Sequence, residues 1–184
     1  MIEENHSMSD DELVESCLRK EAKAQKILFQ RFAPKMMGVC LRYANSSTEA
    51  EDMLQEGLIK VFEKLKMYSG KGSLEGWIRR IVVNTALDII RKNKKMKFNT
   101  SIDEVEYSLK KDQYIIEDLT AIELMKILQT IPLGYRTVFN MYAIEGFSHK
   151  EIAEELDISV STSKSQLSRA RGVLKEIVKN NGLL

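Results

Sequence analysis

The sequence has few residues of the kinds that interrupt helices, form disulfides or bind metals. Its 184 residues include only two prolines, two cysteines and two histidines, namely Pro34, Pro132, Cys17, Cys40, His6 and His149. No segment alternates between apolar and polar residues as a β-hairpin does, so the sequence predicts an all-α fold. Because the cysteines form no CxxC pair and the histidines lie far apart, we predict reduced, structural thiols, no zinc site and no cofactor.

Long hydrophobic runs and an excess of one charge are also lacking. No apolar run approaches the roughly 20 residues that a membrane-spanning helix needs. The first residues, MIEENHSMSDDE, are acidic and polar, unlike a secretory signal. We therefore expect a cytoplasmic protein without direct membrane insertion. Since the net charge is only +1, any binding of nucleic acid must depend on local basic patches.

The charge changes sign near the middle of the chain, and this divides it. Residues 79–97 contain seven cations and one acid, a net charge of +6, whereas residues 101–123 contain seven acids and two lysines, a net charge of −5. Hydrophobic periodicity is weak over 97–113, which predicts a flexible linker. We expect two small helical domains, 1–96 and 114–184, on either side of it.

The best-defined motif is a helix-turn-helix over Phe147–Leu174. Ser148 is a suitable N-cap for the first helix, and Asp157 tolerates the left-handed backbone of a tight turn. Ser161 or Thr162 is predicted to cap the second helix. The outer face of that helix carries Lys164, Ser165, Ser168, Arg169 and Arg171. Short polar and cationic side chains in this arrangement suit the major groove of DNA, although any small helical hairpin with a solvated charged face is an alternative.

Two further helices precede the linker. In the first, Thr48 and Glu51 are spaced as a capping box, and one face carries Asp52, Gln55, Glu56 and Ile59. The spacing alone favours an ordinary solvated helix face over a binding surface. A metal site built from Glu49, Asp52 and Glu56 would need further ligands from elsewhere in the chain. The second helix follows the glycine-rich loop Tyr68–Ser73, runs from about Leu74 to Lys92, and carries a stripe of Arg80, Asn84, Leu87 and Arg91. Its basic end predicts phosphate binding, with a solvated helix end as the alternative.

These segments resemble, in order, the bacterial RNA polymerase sigma factors of the extracytoplasmic-function group. EAEDMLQEGLIKVFEKL is similar to the helix by which that family docks on core RNA polymerase, and GWIRRIVVNTALDIIRK to its promoter-melting helix. The segment from Ile131 to Arg171 resembles its promoter-reading domain. The resemblance extends from about Asp11 to Lys175.

The resemblance implies a role for individual residues. Asp52, Gln55 and Glu56, with Ile59, match positions that bind the coiled coil of the polymerase β′ subunit. Asn84 matches a position that reads the minus-ten promoter element, and the Tyr68–Ser73 loop matches a pocket for a flipped base. Arg80 and Arg91 would clamp phosphates there. The implied contacts to the minus-thirty-five element are Ser161, Thr162, Lys164, Ser165, Gln166, Ser168, Arg169 and Arg171.

The resemblance also implies partners, and the sequence departs from the family at three positions. The expected partners are core RNA polymerase, through its β′ coiled coil and β subunit, promoter DNA, and an anti-sigma factor. The chain would have no catalytic residues of its own. Val83 and Gln166 stand where arginine is frequent, and Ser163 where valine is usual, so base preference does not transfer from relatives. A stand-alone helix-turn-helix regulator and a metal-dependent nucleic-acid enzyme are the alternatives.

Overall fold

A computed structural model of the chain describes residues 8–97 and 119–180. Within these two ranges the chain forms eight α-helices and no β-strand: α1 (Asp10–Leu18), α2 (Ala22–Tyr43), α3 (Ser47–Lys64), α4 (Leu74–Lys97), α5 (Leu119–Thr130), α6 (Leu133–Phe139), α7 (His149–Leu156) and α8 (Val160–Asn180). The all-α prediction is confirmed. The predicted linker, 97–113, lies outside the described residues except for Lys97, the last residue of α4, and the proposed domain bounds stay a prediction.

Helices α1–α4 form the N-terminal unit, in which α3 and α4 each pack against α2 and against one another. Its core includes Leu28, Met53 and Ile78, all fully buried or nearly so. At Gly57 the two long helices approach closely, because a Cβ added there would lie 3.1 Å from Cγ2 of Val82. A side chain at position 57 would therefore require Val82 to shift by a few tenths of an ångström.

Serine side chains cap five of the described helices, α1, α3, α4, α7 and α8, and two of the predicted caps are wrong. Helix α8 begins at Val160, because Ser159 Oγ accepts a hydrogen bond from the Thr162 N–H at 3.0 Å. Ser161 and Thr162 therefore lie inside the helix. Helix α3 likewise begins earlier than predicted, since Ser46 Oγ accepts from the Glu49 N–H at 3.1 Å. Thr48 is not its cap.

Helices α5–α8 form the C-terminal unit, which contains the predicted helix-turn-helix. Ser148 caps α7 in a capping box with Glu151, as the sequence predicts. Asp157 ends α7 in the left-handed conformation, with φ of 52°. Between α6 and α7 the chain forms a π-helical segment, Asn140–Ile144, and such wide turns redirect side chains relative to an α-helix.

The two units pack against each other through α2 and α4. Helices α5 and α6 contact α2, and α7 contacts α4. Val138, Met141 and Ile152 belong to the same hydrophobic cluster as the core of the N-terminal unit. No helix in the described part of the chain is long and apolar enough to cross a membrane.

Candidate polymerase and nucleic-acid interfaces

The predicted polymerase-binding residues share one solvent-facing side of α3. Asp52 and Gln55 are exposed, and Ile59 is 54% exposed although it is apolar. Glu56 is half-buried, and its carboxylate lies 2.9 Å from Lys60 Nζ. An exposed isoleucine among acidic and amide side chains is typical of a protein-binding surface, with an apolar centre inside a polar rim. The spacing of these four residues therefore produces one continuous face.

The Tyr68–Ser73 loop is held by contacts of its own. The Tyr68 hydroxyl donates a hydrogen bond to the Gly72 carbonyl at 2.8 Å, and Gly70 and Gly72 both have positive φ. The Tyr68 ring also packs on Trp77, with ring centroids 5.5 Å apart. Ser73 Oγ accepts from the Gly76 N–H at 3.1 Å and so caps α4. The loop is thus fixed against the start of α4, and Tyr68 in it is half-buried.

Of the three predicted minus-ten residues in the stripe on α4, two have side chains that are exposed to solvent. Arg80 and Asn84 are exposed, one turn apart. Arg91 is half-buried between Asp88, with which it forms an ion pair, and Glu155 of α7, 3.8 Å away. Leu87, which the spacing placed on the same stripe, is instead fully buried. Val83 is also buried, at 2% exposure, so an arginine there would not fit this packing.

Helix α8 exposes most of the predicted minus-thirty-five side chains on one face. The exposed members are Ser161, Lys164, Ser165, Ser168, Arg169 and Arg171, whereas Thr162 and Gln166 are half-buried. Arg169 Nη1 donates to the Tyr135 hydroxyl at 3.0 Å, and its guanidinium lies 5.7 Å from the Tyr135 ring centre. Arg171 lies 5.9 Å from the ring centre of Tyr142. Two tyrosines outside the motif therefore orient the cations of this helix.

The inner side of α8 carries a polar pair that does not follow from the sequence pattern. Ser163 is fully buried, and its Oγ lies 2.9 Å from Nδ1 of His149 at the start of α7. The His149 ring stacks on Tyr142, with centroids 4.6 Å apart. Because the hydroxyl has a partner, Ser163 does not carry the penalty of an unsatisfied buried polar group. The serine is accommodated inside the helix-turn-helix by this histidine.

Acidic residues of the C-terminal unit lie against the basic side of α4. Glu145, only 7% exposed, pairs with Arg79 on α4 and Arg42 on α2. The pKa of Glu151 is lowered, chiefly by the Ser148 backbone N–H and to a smaller extent by Arg80 across the gap. A cleft of about 400 Å³ lies between the units and is lined by Arg79, Arg80, Asn84, Glu145, Phe147 and Glu151, among others.

Sequence reasoning missed these contacts between the units. Glu145 lies 66 residues from Arg79 and 103 from Arg42 along the chain. Local periodicity identifies which face of a helix is buried, but it does not identify which distant side chain the face meets. The described residues also contain no group of three His, Cys, Asp or Glu side chains placed to hold a metal ion.

Comparison with known proteins decides the family. The family model for sigma-70 region 2 matches residues 28–96, and that for sigma-70, region 4 matches residues 121–174. The chain is 26% identical to the RNA polymerase sigma-H factor of Pseudomonas aeruginosa, over 88% of this chain and 90% of that protein. It is 27% identical to the ECF RNA polymerase sigma-E factor of Haemophilus influenzae, over 91% and 94% respectively. The chain belongs to the sigma-70 family, in its extracytoplasmic-function group.

The fold agrees with this assignment. The sigma factor RpoE of Bartonella quintana, solved in complex with the anti-sigma factor NepR, superposes with a TM-score of 0.50 at 22% identity, covering 84% of this chain and 96% of that one. As an ECF sigma factor, the chain directs promoter-specific initiation of transcription by RNA polymerase. The predicted family, function, and polymerase and promoter partners are confirmed. The roles of individual residues stay predictions.

Proposed function

We propose that this sigma factor works as a specificity subunit with three separate binding surfaces, one for polymerase and two for promoter DNA, in domains spanning 1–96 and 114–184. The observation that carries the proposal is that the three sets of side chains lie on different helices, α3, α4 and α8, and that each set is largely solvent-facing. Phosphodiester chemistry would belong to the polymerase, and the chain would work in the cytoplasm, where its polymerase partner is.

The α3 face would dock on the coiled coil of the β′ subunit, with other contacts to the β subunit. Hydrogen-bond acceptors around Ile59 come from Asp52, Gln55 and Glu56. The acidic face continues to Glu63, which is also exposed and lies two turns beyond Glu56. Burial of Ile59 would supply the apolar part of the interface, and the acids its electrostatic specificity.

Charge reversal at Glu56 tests this surface. We expect Glu56→Lys to abolish binding of core polymerase without loss of helicity, because it places a cation beside Lys60 on the docking face. Glu15→Lys is the matched control, since Glu15 of α1 also pairs with a cation four residues on, Arg19. The measurement is affinity for core polymerase by anisotropy of the labelled sigma factor. Unchanged affinity of the Glu56 variant would remove α3 as the docking helix.

Helix α4 would read the minus-ten element on separated strands. Removing a base from the stack costs a few kcal/mol, and this cost would be offset by a pocket at the Tyr68–Ser73 loop and by contacts to phosphates. Asn84 is exposed one turn from Arg80, which places an amide for a base edge beside a cation for the backbone. Ser73 would act through the start of α4, because its oxygen already caps that helix.

Helix α8 would read duplex DNA at the minus-thirty-five element. We expect Arg169→Ala to lower affinity by about 1–3 kcal/mol on the correct site if Arg169 contacts a base edge. Lys164→Ala is the control for a contact to phosphate, which should weaken binding on all sequences alike. Binding of the holoenzyme to promoter and scrambled duplexes separates the two. A uniform loss with the Arg169 variant would make it a phosphate contact.

An anti-sigma factor is the remaining proposed partner. The supporting observation is that the similar sigma factor from Bartonella quintana was solved in complex with one. Co-purification of the tagged chain from its own cells during growth and in stationary phase would test this. Recovery of polymerase but of no other stoichiometric partner in either condition would contradict it.

Transcription with purified core polymerase is the deciding experiment for the whole proposal. Promoter fragments would be selected from genomic DNA with reconstituted holoenzyme and then transcribed. We expect initiation only when the sigma factor is present. A stand-alone regulator would instead bind duplex DNA without polymerase and support no initiation.

A further inference from the structure

A carboxylate of the C-terminal unit is enclosed by two guanidinium groups of the N-terminal unit. Arg79 Nε and Nη2 donate to the two carboxylate oxygens of Glu145 at 2.8 and 2.9 Å. Arg42 Nη2 donates to Oε1 at 3.2 Å. Paired donation from a guanidinium to two oxygens is the geometry by which arginine binds carboxylates and phosphates alike. The pocket between Arg42 and Arg79 is therefore an anion site.

The carboxylate does not use all the donors of this site. Arg42 Nε is buried and has no hydrogen-bond partner in the described part of the chain. The two oxygens of Glu145 accept two hydrogen bonds from Arg79 and one from Arg42 Nη2, and neither oxygen bonds Arg42 Nε. A phosphodiester offers two charged oxygens and two ester oxygens, so it supplies more acceptors to the same donors. The donor set therefore suits a phosphodiester as it suits the Glu145 carboxylate.

The anion site adjoins the proposed minus-ten surface. Arg79 precedes Arg80 on α4, and both line the cleft between the units together with Asn84 and Glu145. A strand whose base lies near Asn84 would bring a neighbouring phosphate close to Arg79, because the two residues lie only about 7.5 Å apart along the axis of α4. Glu145 and such a strand would compete for the same guanidinium groups.

We propose that Arg42 and Arg79 form a binding site for a phosphodiester of the promoter strand, which the Glu145 carboxylate occupies when the two units are packed together. This rests on the proposed reading of DNA by α4. DNA binding at the site then requires Glu145 to leave, so the C-terminal unit inhibits the N-terminal one until the two units separate.

The test uses the full chain and a labelled single-stranded oligonucleotide of about 20 bases, followed by fluorescence anisotropy over a range of salt concentrations. Glu145→Gln should tighten binding about tenfold, equivalent to about 1.4 kcal/mol, because it removes the negative charge that competes with phosphate for both arginines. Glu21→Gln is the matched control: it removes one negative charge from an ion pair, Glu21 with Arg19, outside the anion site. If both variants gain the same affinity for the oligonucleotide, the effect is explained by the change in net charge alone, and the proposal is overturned.

A second variant keeps the test valid if Glu145→Gln unfolds. Arg79→Gln, at a side chain 35% exposed, should lower the slope of log affinity against log salt by about 0.7, the value for loss of one phosphate contact on a single strand. In the Glu145→Gln background it should also cancel the tenfold gain. An unchanged slope would overturn the proposal. Failure of the proposed function appears separately, as no initiation by the unmodified chain with core polymerase.

Discussion

At the residue scale, three buried hydroxyl side chains of this sigma factor each have a defined hydrogen-bond partner. Thr85 and Thr137 donate to the carbonyls one turn earlier in their own helices, at 2.8 and 2.7 Å, and Ser163 is paired with His149. The threonines are predictable, since a hydroxyl inside a helix readily finds the carbonyl four residues back. The partner of Ser163 is not, because His149 lies on a different helix, 14 residues earlier.

The two cysteines provide a prediction at the same scale. Burial raises the pKa of Cys40 to about 12 and also raises that of Cys17. A raised pKa keeps both thiols protonated at pH 8, and the thiolate is the reactive form. We expect neither cysteine to react readily with an alkylating reagent in the folded protein and both to react in denaturant, as counted by mass spectrometry. Rapid labelling of Cys40 under native conditions would contradict its burial.

At the element scale, the sequence predicted which segments form helices better than it predicted where they begin. The break at Ile131–Pro132 and the left-handed Asp157 follow from residue type alone. The starts of α3 and α8 do not, because each lies in a run of serines and threonines in which several residues are chemically suitable caps. Leu87 was misplaced for another reason: α4 packs against α2, α3 and α7, so its buried face is wider than one stripe.

The capping box of α7 gives a stability prediction for this element. We expect Ser148→Ala to destabilise the protein by about 1 kcal/mol, the usual cost of losing a serine N-cap, seen as a lower Tm. Ser168→Ala, in the exposed middle of α8, is the control and should change stability little. No drop in Tm with Ser148→Ala would show that α7 is held by packing alone.

The same box makes the stability of α7 depend on pH. Hydrogen bonds from Ser148 lower the pKa of Glu151 below its unfolded value, so the stabilisation is fully present above the ordinary glutamate range. It is lost as the pH falls through the lowered pKa. The difference in Tm between the unmodified chain and Glu151→Gln should therefore shrink as the pH falls through the range below about 4. A difference that is the same at pH 7 and at acidic pH would contradict this linkage.

At the scale of the whole molecule, the packing of the two units depends on polar groups that cap the end of α2. Arg136 is 1% exposed and donates to the Ala44 carbonyl at 2.8 Å, and Asn140 donates to the Arg42 carbonyl at 2.8 Å. Carbonyls at a helix C-terminus have no partner within the helix and favour a nearby cation. The position of the end of α2 predicts that its last carbonyls lack partners within the helix. It does not predict that donors about 90 to 100 residues away along the chain bind them.

Replacing Asn140 tests whether these groups hold the molecule closed. Asn140→Ala leaves the buried Arg42 carbonyl without its donor, which should cost about 1–3 kcal/mol of stability. Because the hydrogen bond joins the two units, we expect the substitution to weaken the contact between them rather than either unit alone. We expect the radius of gyration from small-angle scattering to increase while helicity is kept. Thr85→Ala is the matched control, because it removes a buried hydrogen bond inside α4 and should lower Tm without changing the radius. If Asn140→Ala also lowers Tm at an unchanged radius, the two units unfold as one body, and their contact is not the weak point at which this sigma factor opens.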